Sequence, residues 1–451
     1  MVAVLGARGD RQQLSGLAYR ATALVAVFSI LALHPNSNSE ATAGAGPKVV
    51  RIIGRLVGGP ARQACLLHQE LTPEFKTILI AGSPSPGEHD MGYLLRSEER
   101  VVRLAEMSRE VSWWADAKAF LRIVRLLRRE RPDIVHTHTA KAGALGRLAA
   151  WTTGVPVIVH TYHGHVFHSY FSPAKSRFYL GLERLLGRMT ERIIAISDSQ
   201  KEELAHHYAV APADKICIVK NGFQLDGVSA QQRLTARQTL GFQPSDFVLV
   251  WAGRMAPVKD VDLLADVVRA AAAQCTRARF LVVGDGEERS RLEAAVAGYP
   301  NVQLLGWRRD MEEIWRAADA AILTSRNEGT PTALIEAMAA SLPFVATQVG
   351  GVPDLSGGEW RPLPEALGFQ AANGFLTIRT AAALVYGITQ LIADPALAQR
   401  MGASGKSFVS GRFAHGRLVA EIRSLYKELL SAKQRHSDRF PRKASQTSSS
   451  A

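Results

Sequence analysis

Two glutamates, Glu328 and Glu336, stand eight positions apart in the segment Arg326-Asn-Glu328-Gly-Thr-Pro-Thr-Ala-Leu-Ile-Glu336-Ala-Met-Ala-Ala-Ser341. A short apolar run before it, Ala320-Ala-Ile-Leu-Thr324, reads as a buried parallel strand. The Ala-rich run after it carries Pro331 where a first helical turn would begin. Strand, glycine-containing turn and helix together make an anion site, because unpaired amides and the positive end of the helix dipole face outward. Neither carboxylate neutralises a phosphate, so both are read as accepting hydrogen bonds from hydroxyls beside it. A diphosphate flanked by hydroxylated rings is a nucleotide sugar.

More candidate chemistry lies at other strand ends. In Gly253-Arg254-Met-Ala-Pro-Val-Lys259, Arg254 and Lys259 are five apart across a turn, which lets both heads converge on one anion. Cations aimed at a leaving diphosphate stabilise the transition state more than the ground state, since negative charge grows there as the bond breaks. Val283-Gly284-Asp285-Gly286-Glu287 closes another strand, its glycines permitting a tight turn. Gly58-Gly59 follows the first strand, and Arg62, at the start of the next helix, is placed to reach the same anion. His136-Thr-His138 and Thr161-Tyr162-His163-Gly164-His165 end two more strands. A zinc site is set aside there, because no Glu or Cys completes the ligand set. Each motif also has a plainer alternative: an acidic turn, a solvated cation pair, a structural glycine turn, packed imidazoles.

The string Glu328-Gly-Thr-Pro-Thr through Glu336-Ala-Met-Ala, followed by Pro343-Phe-Val-Ala-Thr and Gly350-Gly-Val-Pro-Asp354, resembles the Glu-x7-Glu signature of the retaining GT-B glycosyltransferases of family 4 (glycosyl transferases group 1). The resemblance covers roughly Lys48 to Leu430. It implies two Rossmann-like doubly wound domains facing each other across a cleft. Glu328 would face the transferred sugar and Glu336 hold the ribose, with the Gly329, Thr330, Pro331 and Thr332 backbone meeting sugar and phosphate. Arg254 and Lys259 would hold the diphosphate. Gly284 would line the nucleotide pocket, and the Trp307-Arg308 loop would pack on the base. Gly58 and Gly59 would let an amide approach the diphosphate. His163 would contact the sugar, with His138 second and His136 read as packing. Lys141-Ala-Gly143 resembles a sub-group acting on lipid-linked or polysaccharide acceptors. The expected reaction is transfer with retention from a nucleotide sugar, a UDP-sugar being preferred. The rivals are a nucleotide-sugar epimerase of the same fold and a non-catalytic binding subunit.

Three further matches are rejected. Asp260-Val-Asp262 mimics the metal motif of a different glycosyltransferase fold, but it opens a helix, so neither metal nor any other cofactor is expected. Gly402-Ala-Ser-Gly-Lys406-Ser407 mimics a phosphate loop, yet Arg400 stands where its first glycine belongs. Asn221-Gly222 is read as a turn before the interdomain linker.

The elements that must position these residues follow from composition and periodicity. At 451 residues, 47% apolar and 21% charged, the chain suits two globular domains rather than a disordered one. The three scattered cysteines give no disulfide framework, which fits a reducing compartment. The net charge of +13 admits nucleic acid, an anionic membrane face or acidic substrates. No nucleic-acid signature accompanies it. Basic amphipathic stretches at 113–129 and 174–188 read either as peripheral membrane contacts or as sheet-covering helices with a solvated face. Strand–helix alternation from Pro47 predicts six strands in each half. The expected domains are 47–222 on the acceptor side and 223–410 on the donor side. A helix at 411–431 should cross back to the first domain, ahead of a disordered basic tail at 432–451. Residues 1–46 form an extension whose apolar stretch, Ala21 to Leu33, reads as a signal-like region, an interfacial anchor or a dispensable addition. The expected location is the cytoplasm or the cytoplasmic face of a membrane.

Overall fold

The computed structural model describes residues 46–439, apart from 73, 86–87, 97–99, 109, 165–172 and 225–228. The apolar segment at 21–33 and the tail beyond 439 lie outside the described residues.

Seven short apolar runs form the first sheet: β1 (Lys48–Ile53), β2 (Lys76–Gly82), β3 (Val101–Leu104), β4 (Ile134–His138), β5 (Val157–Thr161), β6 (Arg192–Ala195) and β7 (Ile216–Ile218). They pair in parallel in the order β3-β2-β1-β4-β5-β6-β7. Such strands are buried on both faces, which is why they read as near-continuous apolar runs. On one face Val50, Ile52, Ile78 and Ile80 pack against Phe120, Ile123 and Leu127 of the helix Trp113–Glu130 and Ala149 of the helix Ala140–Thr152. On the other, Val49, Ile134 and Val159 pack against Leu67 of the helix Gly58–Glu70 and Leu418, Ile422 and Tyr426 of the terminal helix His415–Arg439.

The second sheet holds β8 (Phe247–Ala252), β9 (Ala278–Val283), β10 (Val302–Gly306), β11 (Ala320–Leu323), β12 (Phe344–Thr347), β13 (Arg361–Pro362), β14 (Gly368–Ala371) and β15 (Gly374–Thr377). Its order is β10-β9-β8-β11-β12-β15-β14-β13, antiparallel only at the β13-β14-β15 edge. In both sheets the winding reverses direction, between β1 and β4 and between β8 and β11. Ligands of such sheets bind at the carboxyl ends of the strands flanking that reversal. Gly58 and Gly59 follow β1, Arg254 and Lys259 follow β8 and Glu328 follows β11, while His163, Gly284 and Trp307 follow the next strands out, β5, β9 and β10.

The chain passes between the sheets twice, and the two passages are bonded together. The Phe223 amide donates to the Phe413 carbonyl (2.7 Å) and the His415 amide to the Phe223 carbonyl (3.0 Å). Gln63 clasps the same point, donating to the Gly222 carbonyl (2.8 Å) and accepting from its amide (3.1 Å).

Three differences from the sequence reading have physical reasons. Strand β3 is a four-residue edge strand and β13–β14 a short hairpin, all too brief to show a period. The terminal helix starts at His415, inside the expected 411–431, and continues to Arg439, so the first part of the expected tail is helical. Residues 432–435 of it are exposed, and helix without an apolar contact carries no amphipathic signal. Among the described residues, no single helix is long and apolar enough to cross a membrane.

Candidate functional site

The turn after β11 is held from beneath. Thr324 and Ser325 are fully buried. Thr324 accepts from the Trp251 indole at 3.2 Å and donates to the Lys259 carbonyl at 2.9 Å. Ser325 Oγ donates to Glu328 Oε1 at 2.5 Å, and Lys259 Nζ reaches the same oxygen at 2.5 Å. Gly350 and Gly351 form the floor. The Gly351 amide donates to the Glu328 carbonyl at 2.9 Å, and a Cβ on Gly351 would stand 1.7 Å from the Gly329 oxygen. Pro331 then caps the helix Thr332–Ala339 without a side-chain acceptor, which leaves its first amides facing the crevice. Thr330 Oγ1 is buried with no hydrogen-bond partner among the described residues.

Glu336 lies one turn inside that helix rather than at its mouth. The Trp315 indole donates to its Oε2 at 3.1 Å, while Arg62 of the first domain reaches Oε1 at 2.6 Å. The same face of the first domain supplies Gly59, whose Cβ would come 3.1 Å from Thr332 Cγ2, and Gly58, with φ +70°. The His163 carbonyl lies 3.2 Å from where a Cβ on Gly329 would stand. Thus Gly58, Gly59, Arg62 and His163 face Glu328, Gly329, Thr332 and Glu336 across one narrow crevice, with Lys259 on its donor-side wall.

Arg254 stands differently. It leaves the same turn as Lys259, but its guanidinium pairs with Glu287 (2.8 Å) and with Glu88 of the first domain (3.4 Å). The expected convergence of both cations on one anion is therefore not the arrangement present, because each has a carboxylate closer at hand. The glycines of Gly284-Asp285-Gly286 shape this turn: φ is +140° at Gly284 and +154° at Gly286. A Cβ on Gly284 would sit 1.8 Å from the Gly253 oxygen. Trp307 projects across the crevice and stacks on His89 (4.4 Å, 18°), whereas Arg308 is tied to Asp310 at 2.7 Å.

The rejected motifs are accounted for. Asp260 caps the helix Val261–Gln274 and accepts from Arg326 (3.1 Å) and Arg379 (2.7 Å), and Asp262 pairs with Arg291 (2.7 Å). Lys406 and Ser407 lie inside the helix Pro395–Arg412.

The imidazoles form a buried stack. His136 Nδ1 meets Tyr426 Oη at 2.6 Å and His138 Nδ1 meets His163 Nε2 at 3.0 Å. Burial pushes His163 down to about 4 and, with neighbouring positive charge, holds His136, His138 and His160 well below the usual imidazole range. Burial raises the Glu88 carboxyl, but the Ser85 amide and Arg55 outweigh it and hold the group below its ordinary value. Sequence reasoning missed Ser325, Trp315, Glu88, His89 and Tyr426. Of these only Ser325 adjoins a recognisable motif.

Two family descriptions match the chain: Glycosyltransferase Family 4 over residues 57–226 and Glycosyl transferases group 1 over 246–394. The UDP-Gal:alpha-D-GlcNAc-diphosphoundecaprenol alpha-1,3-galactosyltransferase of Escherichia coli is 32% identical over 300 residues, 64% of this chain and 76% of that one. The capsular polysaccharide biosynthesis glycosyltransferase CapM of Staphylococcus aureus is 24% identical over 346 residues, 75% and 87% of the two chains. Among solved structures, HepE of Anabaena in complex with UDP superposes with a TM-score of 0.66 at 21% identity, over 84% of this chain and 100% of that one. That last likeness is one of fold.

Proposed function

Since the chain belongs to the glycosyl transferases group 1, has the GT-B fold and moves a sugar from a nucleotide sugar to an acceptor, we propose that it does so with retention, from a UDP-sugar, to a lipid-linked or polysaccharide acceptor, without a metal or other cofactor. The observation that carries this reading is the facing of Gly58, Gly59, Arg62 and His163 against Lys259, Glu328 and Glu336, bridged by the Arg62–Glu336 pair at 2.6 Å. The buried, unpartnered Thr330 hydroxyl supports a ligand oxygen beside it.

In this mechanism the bond from the anomeric carbon to the diphosphate breaks as the acceptor oxygen attacks the same face. The acceptor proton passes to the departing phosphate oxygen. Lys259 and Arg254 exchange their carboxylate partners for the diphosphate, whose negative charge replaces that of Glu328 and Glu287. Glu328, already bonded to Ser325 and Lys259, orients the sugar instead of attacking it. Glu336, fixed by Trp315, takes the ribose hydroxyls. Closure of the crevice excludes water and favours transfer over hydrolysis. The absence of a metal requirement is supported by Asp260 and Asp262, whose carboxylates are taken up by arginines.

Membrane association at the cytoplasmic face belongs to the same proposal. The outward face of the helix Trp113–Glu130 shows Trp114 (89% exposed) and Leu121 with Arg125 and Arg128. The helix Pro173–Arg188, which with Trp113–Glu130 flanks the helix Ala140–Thr152, shows Phe178 and Leu185 with Arg177 and Arg188. Aromatic side chains among cations suit an anionic lipid surface. The E. coli relative is named for an undecaprenol-linked acceptor, which agrees with such a site.

One experiment tests the whole. Purified protein is incubated with radiolabelled nucleotide sugars, with lipid extract or with anionic vesicles, and with chelator. A product of unchanged anomeric configuration, formed from the UDP-sugar despite chelator and sedimenting with vesicles, is expected. Inversion, or restoration of a chelated sample by Mn²⁺, overturns the mechanism. Epimer formation without acceptor, or tight nucleotide binding without turnover, would return the epimerase or the binding subunit.

A further inference from the structure

A buried polar chain runs from the terminal helix to the crevice, and nothing above assigns it work. Arg51 on β1 and Tyr426 are both fully buried, and Arg51 Nη2 donates to Tyr426 Oη at 3.2 Å. Its Nε and Nη1 have no partner among the described residues. A guanidinium only donates, so the Tyr426 oxygen accepts from it; the buried Tyr426 O–H then has His136 Nδ1, 2.6 Å away, as its acceptor among the described residues, and donates there. His136 is then protonated at Nε2, which donates to Thr161 Oγ1 at 2.7 Å. The His136 ring stacks on His138 with centroids 4.3 Å apart.

The next step is decided by what is left unbonded. His138 Nδ1 and His163 Nε2 share one hydrogen bond of 3.0 Å, so one of them carries the proton. His138 Nε2 is buried without a partner among the described residues. Were His163 the donor, a neutral His138 would carry its proton on that orphaned nitrogen. A buried N–H without an acceptor is rarer and costlier than a bare lone pair. The proton therefore sits on His138 Nδ1, and His163 carries its own on Nδ1.

We propose that Tyr426 is a positioning residue for sugar transfer: with Arg51 behind it, it locks the His136–His138 stack so that His163 meets the crevice as a neutral hydrogen-bond donor through Nδ1–H. The donated bond would go to an oxygen of the bound nucleotide sugar, so this step rests on the reading of the site given above. The groups facing the stack are Arg51 from β1, His136 and His138 from β4, Thr161 from β5 and Tyr426 from the terminal helix, while His160 lies on the opposite face of the sheet against Thr137. None is a carboxylate, and burial already keeps these imidazoles uncharged near neutrality. A device built this way lets the terminal helix, packed on one face of the first sheet, govern the crevice at the carboxyl ends of its strands.

Two-bond ¹⁵N–¹H correlation spectra of histidine-labelled protein test the proposal without any need for turnover, with His163 assigned by loss of its signals in His163→Gln. At pH 7, Nδ1–H neutral tautomers are expected for both His163 and His138, and Nε2–H for His136. Tyr426→Phe removes only the hydroxyl. It should leave His136 a mixture of tautomers and lower kcat about fivefold, the scale of one hydrogen bond, with the donor KM within about twofold. An Nε2–H or cationic His163 at pH 7 overturns the proposal, as does a Tyr426→Phe protein with unaltered histidine spectra and kcat. If the spectra hold and no sugar is transferred, the reading of the site has failed and the tautomer assignment has not.

Discussion

Glu328 and Lys259 define the chemistry at the scale of single residues. Their 2.5 Å contact joins a cation that follows β8 to a carboxylate that follows β11, at the point where the second sheet reverses its winding. Ser325 holds the same carboxylate oxygen, so Glu328 keeps its orientation when Lys259 turns to a phosphate. The ammonium then stands where negative charge grows during bond breaking, and its effect falls on the transition state. Lys259→Ala should therefore lower turnover by about two orders of magnitude or more, the scale of losing one such electrostatic contact. The measurement is kcat with saturating donor, alongside a thermal unfolding curve that shows the variant folded. Activity within about a factor of three of the parent would remove Lys259 from the mechanism.

Loops and helix starts only work if the elements beneath them are close. Glycine provides that closeness at Gly351, whose Cβ would collide at 1.7 Å with the oxygen of Gly329. Gly351→Ala must push the Glu328–Gly329 turn toward the first domain, where the His163 carbonyl already stands 3.2 Å from a Cβ position on Gly329. A clash of this kind costs roughly 1–3 kcal/mol in a packed region. Nucleotide affinity by calorimetry should fall about tenfold or more while the protein stays folded; unchanged affinity would show that the turn has slack. The sequence revealed this element well: the β11 run, the turn and the Pro331 start stood in order along a few residues, and the Gly-Asp-Gly turn carried its own signature. Tyr426 and Arg51 were invisible because they meet across 375 positions, and no local periodicity marks such a pair. Glu88, which engages Arg254 from the other domain, lies in a polar loop whose composition announces nothing. Arg254 itself was expected beside Lys259 on one anion, since spacing along a turn fixes where two side chains start and not which carboxylate each finds.

The molecule as a whole is two sheets tied by polar bridges. Arg62–Glu336, Arg254–Glu88, the Ser199–Asp354 hydrogen bond of 2.5 Å and the Trp307–His89 stack all span the crevice. Such contacts exchange readily, which suits a cleft that opens and closes around a donor. The fold behind them is less tolerant, because among the described residues His68, His136, His138 and His160 are buried in the first domain and His163 is half-buried beside them. His68 and His163 are lowered to about 4, and His136, His138 and His160 well below the ordinary value, in each case chiefly by burial. By about pH 7.5, a unit above the ordinary imidazole value, these groups are neutral in both folded and unfolded chains and contribute little pH dependence. Below it the unfolded chain takes up protons that the folded one refuses, so stability must fall as the pH falls. His68 and His163, held at about 4, each remove on the order of 1 kcal/mol by pH 5.5, and His136, His138 and His160 act in the same direction. The carboxylates of Glu88 and Asp260 are held below their ordinary values, so they stay charged through the window from about 6.5 to 5, which belongs to the histidines. Urea unfolding followed by tryptophan fluorescence should show midpoints that are level from pH 8 to 7 and drop steadily below 6.5. A midpoint unchanged between pH 7 and 5 would mean that the imidazoles accept protons within the fold, and that the stack beside the crevice is open to water.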